Sequence, residues 1–346
     1  MHNPFENACC TVPRNGGYHM PGYHVWCASA IKGEDGKYHL FASCWEEKYG
    51  FGSNWLLRSK IAHAISETPE GPYLFHSFVF EERSHQYFDA RNQHNPAIKY
   101  YDGTYYLYYF GTTFGGDIPS ENGDIPKKRF TEIWNKKRIG VATSKSVYGP
   151  WKQLDEPLLE PRDCRYWDCT CTTNPSVVIL PSGKTYMIYK SRSSCESPLQ
   201  LGVVVANKPD GKFERISDDP IFQFENPYWF VEDPFLWYEK DHFCLLMKDD
   251  YRDDSGGITG EWGSGIYAES KDCIHWQIAK SPKAYTRVLT WDDGTVTTQC
   301  HLERANLLFE DGKPTHLFAA TANGVEPWVF DGPSFNVCIP LKLKPE

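Results

Sequence analysis

QHNPAIKYYDGTYYLYYFGTT (93–113) reads as a turn opening into an apolar strand, an Asp102-Gly103 hairpin turn, and a second strand rich in tyrosine. TTNPSVVILPSGKTYMIYKSR (172–192) and VEDPFLWYEKDHFCLLMKDDY (231–251) repeat the pattern, each opening on Asn or Asp followed by Pro. VWCASAIKGEDGKYHLFASCW (25–45) and HLERANLLFEDGKPTHLFAA (301–320) are weaker copies with their own Asp-Gly turns. With Ala28, Pro96, Pro175, Pro234 and Ala305 taken as equivalent, successive units begin 68, 79, 59 and 71 residues apart. A repeat of this kind decides the fold before any local signal does, because each copy is one supersecondary unit that buries its faces only against its neighbours.

A further strand trails most units, as in IAHAISETPEGPYLF (61–75), IGVATSKSVYGPWKQ (139–153), LGVVVANKPDGKFER (201–215) and GIYAESKDCIHWQIA (265–279). Each period thus holds three or four antiparallel strands, the content of one propeller blade, and no amphipathic helix of ten or more residues is predicted. The expected fold class is all-β, a five-bladed β-propeller; a two-sheet sandwich would have no use for five similar units. The expected organisation is an N-terminal arm (1–23), the propeller (24–325) and a C-terminal tail (326–346) closing or packing on it. The long connections 111–138 and 249–262, rich in Gly, Pro and charge, read as surface loops that shape a pocket mouth.

The net charge of −9 and the lack of a basic block argue against nucleic acid or an anionic membrane as partner. The start MHNPFENACCTVPRNGG has no basic and apolar leader pattern, so the chain reads as soluble and cytoplasmic, or periplasmic if a leader was removed. The 12 cysteines sit mostly inside apolar strand patterns and read as buried free thiols. Cys164, Cys169 and Cys171 have no second pair at zinc spacing. No metal site and no cofactor are predicted, although a central structural cation would fit the acidic axis. The long arm is expected to reach a neighbouring subunit in a homodimer.

In a propeller the first strand of each blade lines the axis, so the residues opening those strands converge. In register they are Trp26-Cys27, His94-Asn95, Thr173-Asn174, Glu232-Asp233 and Glu303-Arg304. Four of the five pairs are polar, which is costly inside a propeller unless they face a solvated cavity or each other. Glu232, Asp233 and Glu303 concentrate the acid, and glycosidic cleavage needs two carboxyl groups flanking a sugar. His301 and His94 are candidates for a general acid or for tuning one. Asn95, Asn174, Arg304, Lys190, Lys248 and Trp26 are expected to hold substrate hydroxyls or stack on a ring. Asp89 and Asp168 recur after an aromatic and before Asn-Pro, which predicts a shared structural or pocket-edge role; Asp89 is carried as a substrate-binding candidate. Trp45, Trp167, Trp229 and Trp237 lie near strand ends where an indole can stack on a sugar.

The Asn/Asp-Pro openings, the Asp102-Gly103-Thr104-Tyr105-Tyr106 hairpin and the tails at Gly71-Pro72-Tyr73 and Gly149-Pro150-Trp151 resemble the five-bladed propeller glycoside hydrolases of family 43 and relatives such as family 117. The resemblance covers about residues 24–325. It implies an O-glycosyl hydrolase acting on an oligosaccharide or a plant or algal polysaccharide fragment, inverting and exo-acting. Family 43 implies an Asp base, an Asp modulator and a Glu acid in the first three blades, where this sequence has Cys27, Asn95 and Asn174; only Asp233-Pro234 keeps the motif. The triad is therefore not carried over. The family 117 type implies an Asp base with a His acid, which pairs Asp233 with His301 or His94; the carboxylate version pairs Asp233 with Glu303 or Glu232. Two other functions fit the same sequence: a non-catalytic carbohydrate-binding propeller, and a glycoside phosphorylase recruiting phosphate with Lys190, Arg192 and Arg304.

Overall fold

The computed structural model describes residues 1–118 and 124–343; part of the connection 111–138 and the last three residues of the expected tail lie outside these. Five antiparallel sheets form a five-bladed β-propeller. Blade 1 comprises β1 (Tyr23–Lys32), β2 (Tyr38–Glu46), β3 (Lys60–Ser66) and β4 (Leu74–Phe78). Blade 2 comprises β5 (Asn92–Tyr101), β6 (Thr104–Thr112), β7 (Arg138–Ser144) and β8 (Lys152–Gln153). Blade 3 has β9 (Thr173–Ile179), β10 (Thr185–Ser191), β11 (Gln200–Ala206) and β12 (Glu214–Arg215), and blade 4 has β13 (Trp229–Glu239), β14 (His242–Tyr251), β15 (Gly265–Ser270) and β16 (Trp276–Tyr285). After a hairpin of β17 (Val288–Thr290) and β18 (Val296–Thr298), blade 5 is built from β19 (Glu303–Glu310), β20 (Lys313–Asn323) and β21 (Asp331–Pro340). Two short helices, α1 (Asn54–Leu57) and α2 (Lys127–Trp134), lie in connections. Among the described residues no helix is long and apolar enough to cross a membrane.

The core is a set of five apolar layers, one between each pair of adjacent blades. Phe41 and Ile61 of blade 1 meet Leu107 and Tyr109 of blade 2; Tyr108 and Val141 meet Met187 and Val204 of blade 3; Ile188 and Val203 meet Leu245 and Ile266 of blade 4. Phe235 and Leu246 meet Leu307 and Leu317 of blade 5, and Leu308 and Phe318 close the circle on Leu40 and Ala62. Because every blade buries both faces, strands read as aromatic-rich instead of cleanly alternating. The inner strands have no neighbour on the axial side, so their orphaned N–H groups need other acceptors. Serines of the preceding blade supply them: Asn95 N–H donates to Ser43 Oγ (2.9 Å), Ile98 N–H to Ser29 Oγ (3.1 Å) and Leu236 N–H to Ser176 Oγ (2.7 Å).

The N-terminal arm is folded onto its own chain. Tyr18 exchanges both backbone hydrogen bonds with Asn336 of β21, at 2.9 and 3.0 Å, taking the place of a fourth strand in blade 5. Phe5, Val12 and Tyr18 are buried, and Asn3 Nδ2 donates to the Ser281 and Lys283 carbonyls. The segment expected to reach a neighbouring subunit thus closes the ring of its own propeller. Residues 326–346, expected as a tail on the propeller, supply β21 to blade 5.

Candidate active site

Each inner strand opens with a β-bulge, and each bulge holds one residue in the left-handed region: Cys27 (φ 52°), Asn95 (55°), Asn174 (54°), Asp233 (55°) and Arg304 (58°). Asn and Asp tolerate this conformation because their short side chains bond locally, which is why they recur before Pro. The bulge turns these five side chains to the axis, where they contact one another in a ring. Cys27 Sγ lies 2.6 Å from Asn95 Oδ1, the Asn95 and Asn174 amides are 2.7 Å apart, Asn174 meets Asp233 at 3.3 Å, and Arg304 Nη1 donates to Asp233 Oδ1 at 3.0 Å. Below the ring the axial channel narrows to a space of about 10 Å³. Above it opens a pocket of about 620 Å³, a size suited to a small sugar.

Of the twelve sequence-predicted residues, ten line this pocket: Trp26, His94, Asn95, Asn174, Lys190, Glu232, Asp233, Lys248, Glu303 and Arg304. Glu232 and Glu303 share the buried Lys248 ammonium, Glu232 Oε2 at 3.4 Å and Glu303 Oε1 at 2.8 Å, and Lys190 stands 3.4 Å from Glu232 Oε1. Burial alone would raise both carboxyls. Lys190 and Lys248 outweigh it for Glu232, as Lys248 and His301 do for Glu303, so both are held below the usual 4.5 and stay ionised. Asp233 is tied on both oxygens, Oδ1 to the Arg304 guanidinium and Oδ2 to the Arg304 N–H at 3.3 Å.

His301 stands behind the wall. It is fully buried, its Nε2 accepts the Trp328 N–H at 2.8 Å, and its Nδ1 therefore carries the proton donated to Glu303 Oε1 at 3.1 Å. It orients Glu303 and does not face the cavity. His94 faces the cavity, with Nδ1 bonded to Ser59 Oγ at 2.8 Å; burial, then Arg304 and Lys137, hold it well below its usual 6.5, so it is neutral.

Asp89 is not in the pocket. Its carboxylate accepts from Tyr109 Oη (2.5 Å), Gln153 Nε2 (2.8 Å) and Arg83 Nη1 (3.4 Å). Asp168 does the same one blade on, with Tyr189 Oη (2.7 Å), Arg162 Nε (2.7 Å) and Arg215 Nε (2.6 Å). In both blades an Asp before the first strand thus joins a tyrosine of the second to a polar residue of the fourth. The substrate-binding role expected of Asp89 is replaced by this structural one. Asp89→Asn should cost about 1.5–3 kcal/mol in chemical denaturation, the range for hydrogen bonds to a charged group, and leave substrate affinity unchanged.

Several residues of the pocket were not anticipated. The indoles at the cavity are Trp55, Trp134, Trp262 and Trp328 beside the expected Trp26; Trp45, Trp167, Trp229 and Trp237 do not reach it. The long connections carry much of this wall, Trp134 and Lys137 from 111–138, and Asp250, Tyr251, Arg252 and Trp262 from 249–262. Asp250 is the fourth carboxyl. Its Oδ1 accepts the Trp262 indole N–H at 2.7 Å, and no basic side chain pairs with it among the described residues. Burial raises it above the usual 3.8; Glu232 and Glu303 add to the shift against the pull of Lys248. The sequence signal was present in Lys248-Asp249-Asp250, where alternation along β14 puts Lys248 and Asp250 on one face.

No protein-family model matches the chain, and no curated protein matches its sequence. Solved structures do match its fold. A family 117 glycoside hydrolase of the marine bacterium Zobellia galactanivorans superimposes with a TM-score of 0.68 at 16% identity, over 98% of this chain and 92% of that one. A complex of BT0996 with RGII gives 0.68 at 13% identity, over 99% and 94%. An arabinanase of Bacillus subtilis gives 0.58 at 17% identity, over 92% and 96%. The protein is a five-bladed β-propeller similar to glycoside hydrolase structures of families 43 and 117, and at these identities the likeness is one of fold.

Proposed function

We propose that the protein is a glycoside hydrolase that removes a terminal sugar from an oligosaccharide with inversion. The observation that carries this reading is the pairing, in one blind pocket, of a carboxyl raised by burial, Asp250, with one held ionised by two lysines, Glu232. Environments that push two acids apart assign their roles: Asp250 protonates the leaving oxygen and Glu232 activates water. Glu232 pairs with Lys248 across β13 and β14, which makes Asp250 its diagonal neighbour. Diagonal positions on paired strands are about 7–8 Å apart, and an inverting pair needs its carboxyls ~6.5–9.5 Å apart to leave room for an attacking water. A pocket floored by the axial ring suits the end of an oligosaccharide more than its middle. The donor role expected of Glu303 passes to Asp250, because Glu303 is bound by Lys248 and His301; Asp233 positions Arg304.

The test is hydrolysis across a panel of glycosides, with and without phosphate, following the anomer of the released sugar by proton NMR. The reading expects product without phosphate and with inverted configuration. Glu232→Gln should lower kcat about 10²–10³-fold, within the range for loss of a general base. Binding without turnover would identify a carbohydrate-binding propeller instead, and product that requires phosphate a phosphorylase.

A further inference from the structure

The backbone leaves α2 through Lys137, whose N–H donates to the Trp134 carbonyl and whose own carbonyl accepts the Thr172 N–H at 3.1 Å. Its ammonium lies 3.1 Å from the centroid of the Trp134 ring, with Phe110 at 5.3 Å and Trp55 at 5.6 Å. Lys137 is 1% exposed, it lines the pocket, and no carboxylate pairs with it among the described residues. Lys190 and Arg192 add repulsion, and the Arg192 guanidinium lies 5.0 Å from the centroid of the same indole. The Nε atoms of Arg192 and Arg304 are buried without an acceptor. Burial, with repulsion from Lys190 and Arg192, holds Lys137 well below its usual 10.5, and an anion arriving to face it would restore the ammonium.

Three other cations of the pocket are matched, Lys248 with Glu303, Lys190 with Glu232 and Arg304 with Asp233, whereas Lys137 is not. We infer that Lys137, with Lys190 beside it on the pocket wall, binds an oxyanion carried by the sugar, the carboxylate of a uronic acid or a sulfate ester. This rests on the reading that the pocket takes a sugar, and it assigns the class of sugar. The indoles of Trp134 and Trp55 form the apolar side of the same wall, placed to pack on the ring that bears the acid.

Calorimetric titration of the full-length protein tests this with D-glucuronate, D-galacturonate and galactose 6-sulfate against glucose, galactose and inorganic phosphate. At least one charged sugar should bind ten-fold or more tightly than its neutral counterpart; which one does separates carboxylate from sulfate. Lys137→Met should weaken that binding about 10- to 100-fold, the loss expected for a charged hydrogen bond, with neutral sugars unaffected. Lys137→Arg should keep the preference and shows that loss in Lys137→Met is not misfolding. Equal affinity for charged and neutral sugars, no sugar binding at all, or phosphate alone binding with the same sensitivity to Lys137 would each overturn the inference. A charged-sugar preference without any hydrolysis would remove the glycosidase reading and leave the subsite, and hydrolysis without preference would do the reverse.

Discussion

In Asp250→Asn, kcat on a glycoside with an alkoxide leaving group should fall by about 10²–10⁴-fold, while an aryl glycoside with an acidic phenol should keep most of its rate. The difference follows from what a general acid does. A sugar alkoxide cannot leave without a proton, whereas a stabilised phenolate can. Asp250 can hold that proton because it is half-buried, is repelled by Glu232 and Glu303, and has no ion-pair partner among the described residues. A raised carboxyl is in its acid form below its shifted pKa, so kcat/KM in the wild type should decline as pH rises through that value. Asparagine has no proton to lose, and the declining limb should vanish in the variant. Equal losses on both substrates with an unchanged pH profile would make Asp250 a structural partner of Trp262 and return the donor role to another group.

The axis was legible because a covalent constraint repeats there. Asn95-Pro96, Asn174-Pro175 and Asp233-Pro234 mark bulges whose left-handed residue must turn inward, and the same register located Cys27 and Arg304, which carry no such signal themselves. Side chains on the second strand opposite a bulge stayed legible too; Lys190, paired with Thr173, and Lys248, paired with Glu232, reached the pocket as expected. The rest depends on loop paths. Trp134 and Lys137 enter through α2, a helix of eight residues too short to announce itself by periodicity, and their approach is set by packing of Ile133 against Leu56 and Leu57. Asp89 shows the opposite failure: its position before Asn-Pro is regular, but regularity of placement serves the links between strands as well as it serves a pocket. Burial of His301 behind Glu303 was equally hidden, because a residue three positions from the ring can stand in front of the wall or behind it.

Lys248→Met should destabilise the protein by about 3–5 kcal/mol, the cost of removing one partner from a buried ion group, and lower Tm by several degrees at neutral pH. Lys248 is nearly inaccessible and is the cation shared by Glu232 and Glu303, so its loss leaves Glu303 with His301 alone. The pH dependence identifies the cause. In the wild type both carboxyls are depressed below 4.5, so their contribution is present above the unfolded value and is lost as pH falls beneath it. Lys248 itself is raised above 10.5, so its contribution holds below that value and disappears only as pH rises past the folded one. Without the ammonium, burial gains on Glu303 and lifts its pKa, whereas Glu232 keeps Lys190, so the acid destabilisation carried by Glu303 in the wild type should shrink or reverse in the variant. Denaturant midpoints measured from pH 3 to pH 8, taken as an approximate window around the reference carboxyl value, would read this as a shallower or reversed acid limb in the variant. Parallel curves would mean that the cluster is solvated through the pocket, and that Glu232 is held ionised by water and Lys190 and not by the lysine at the axis.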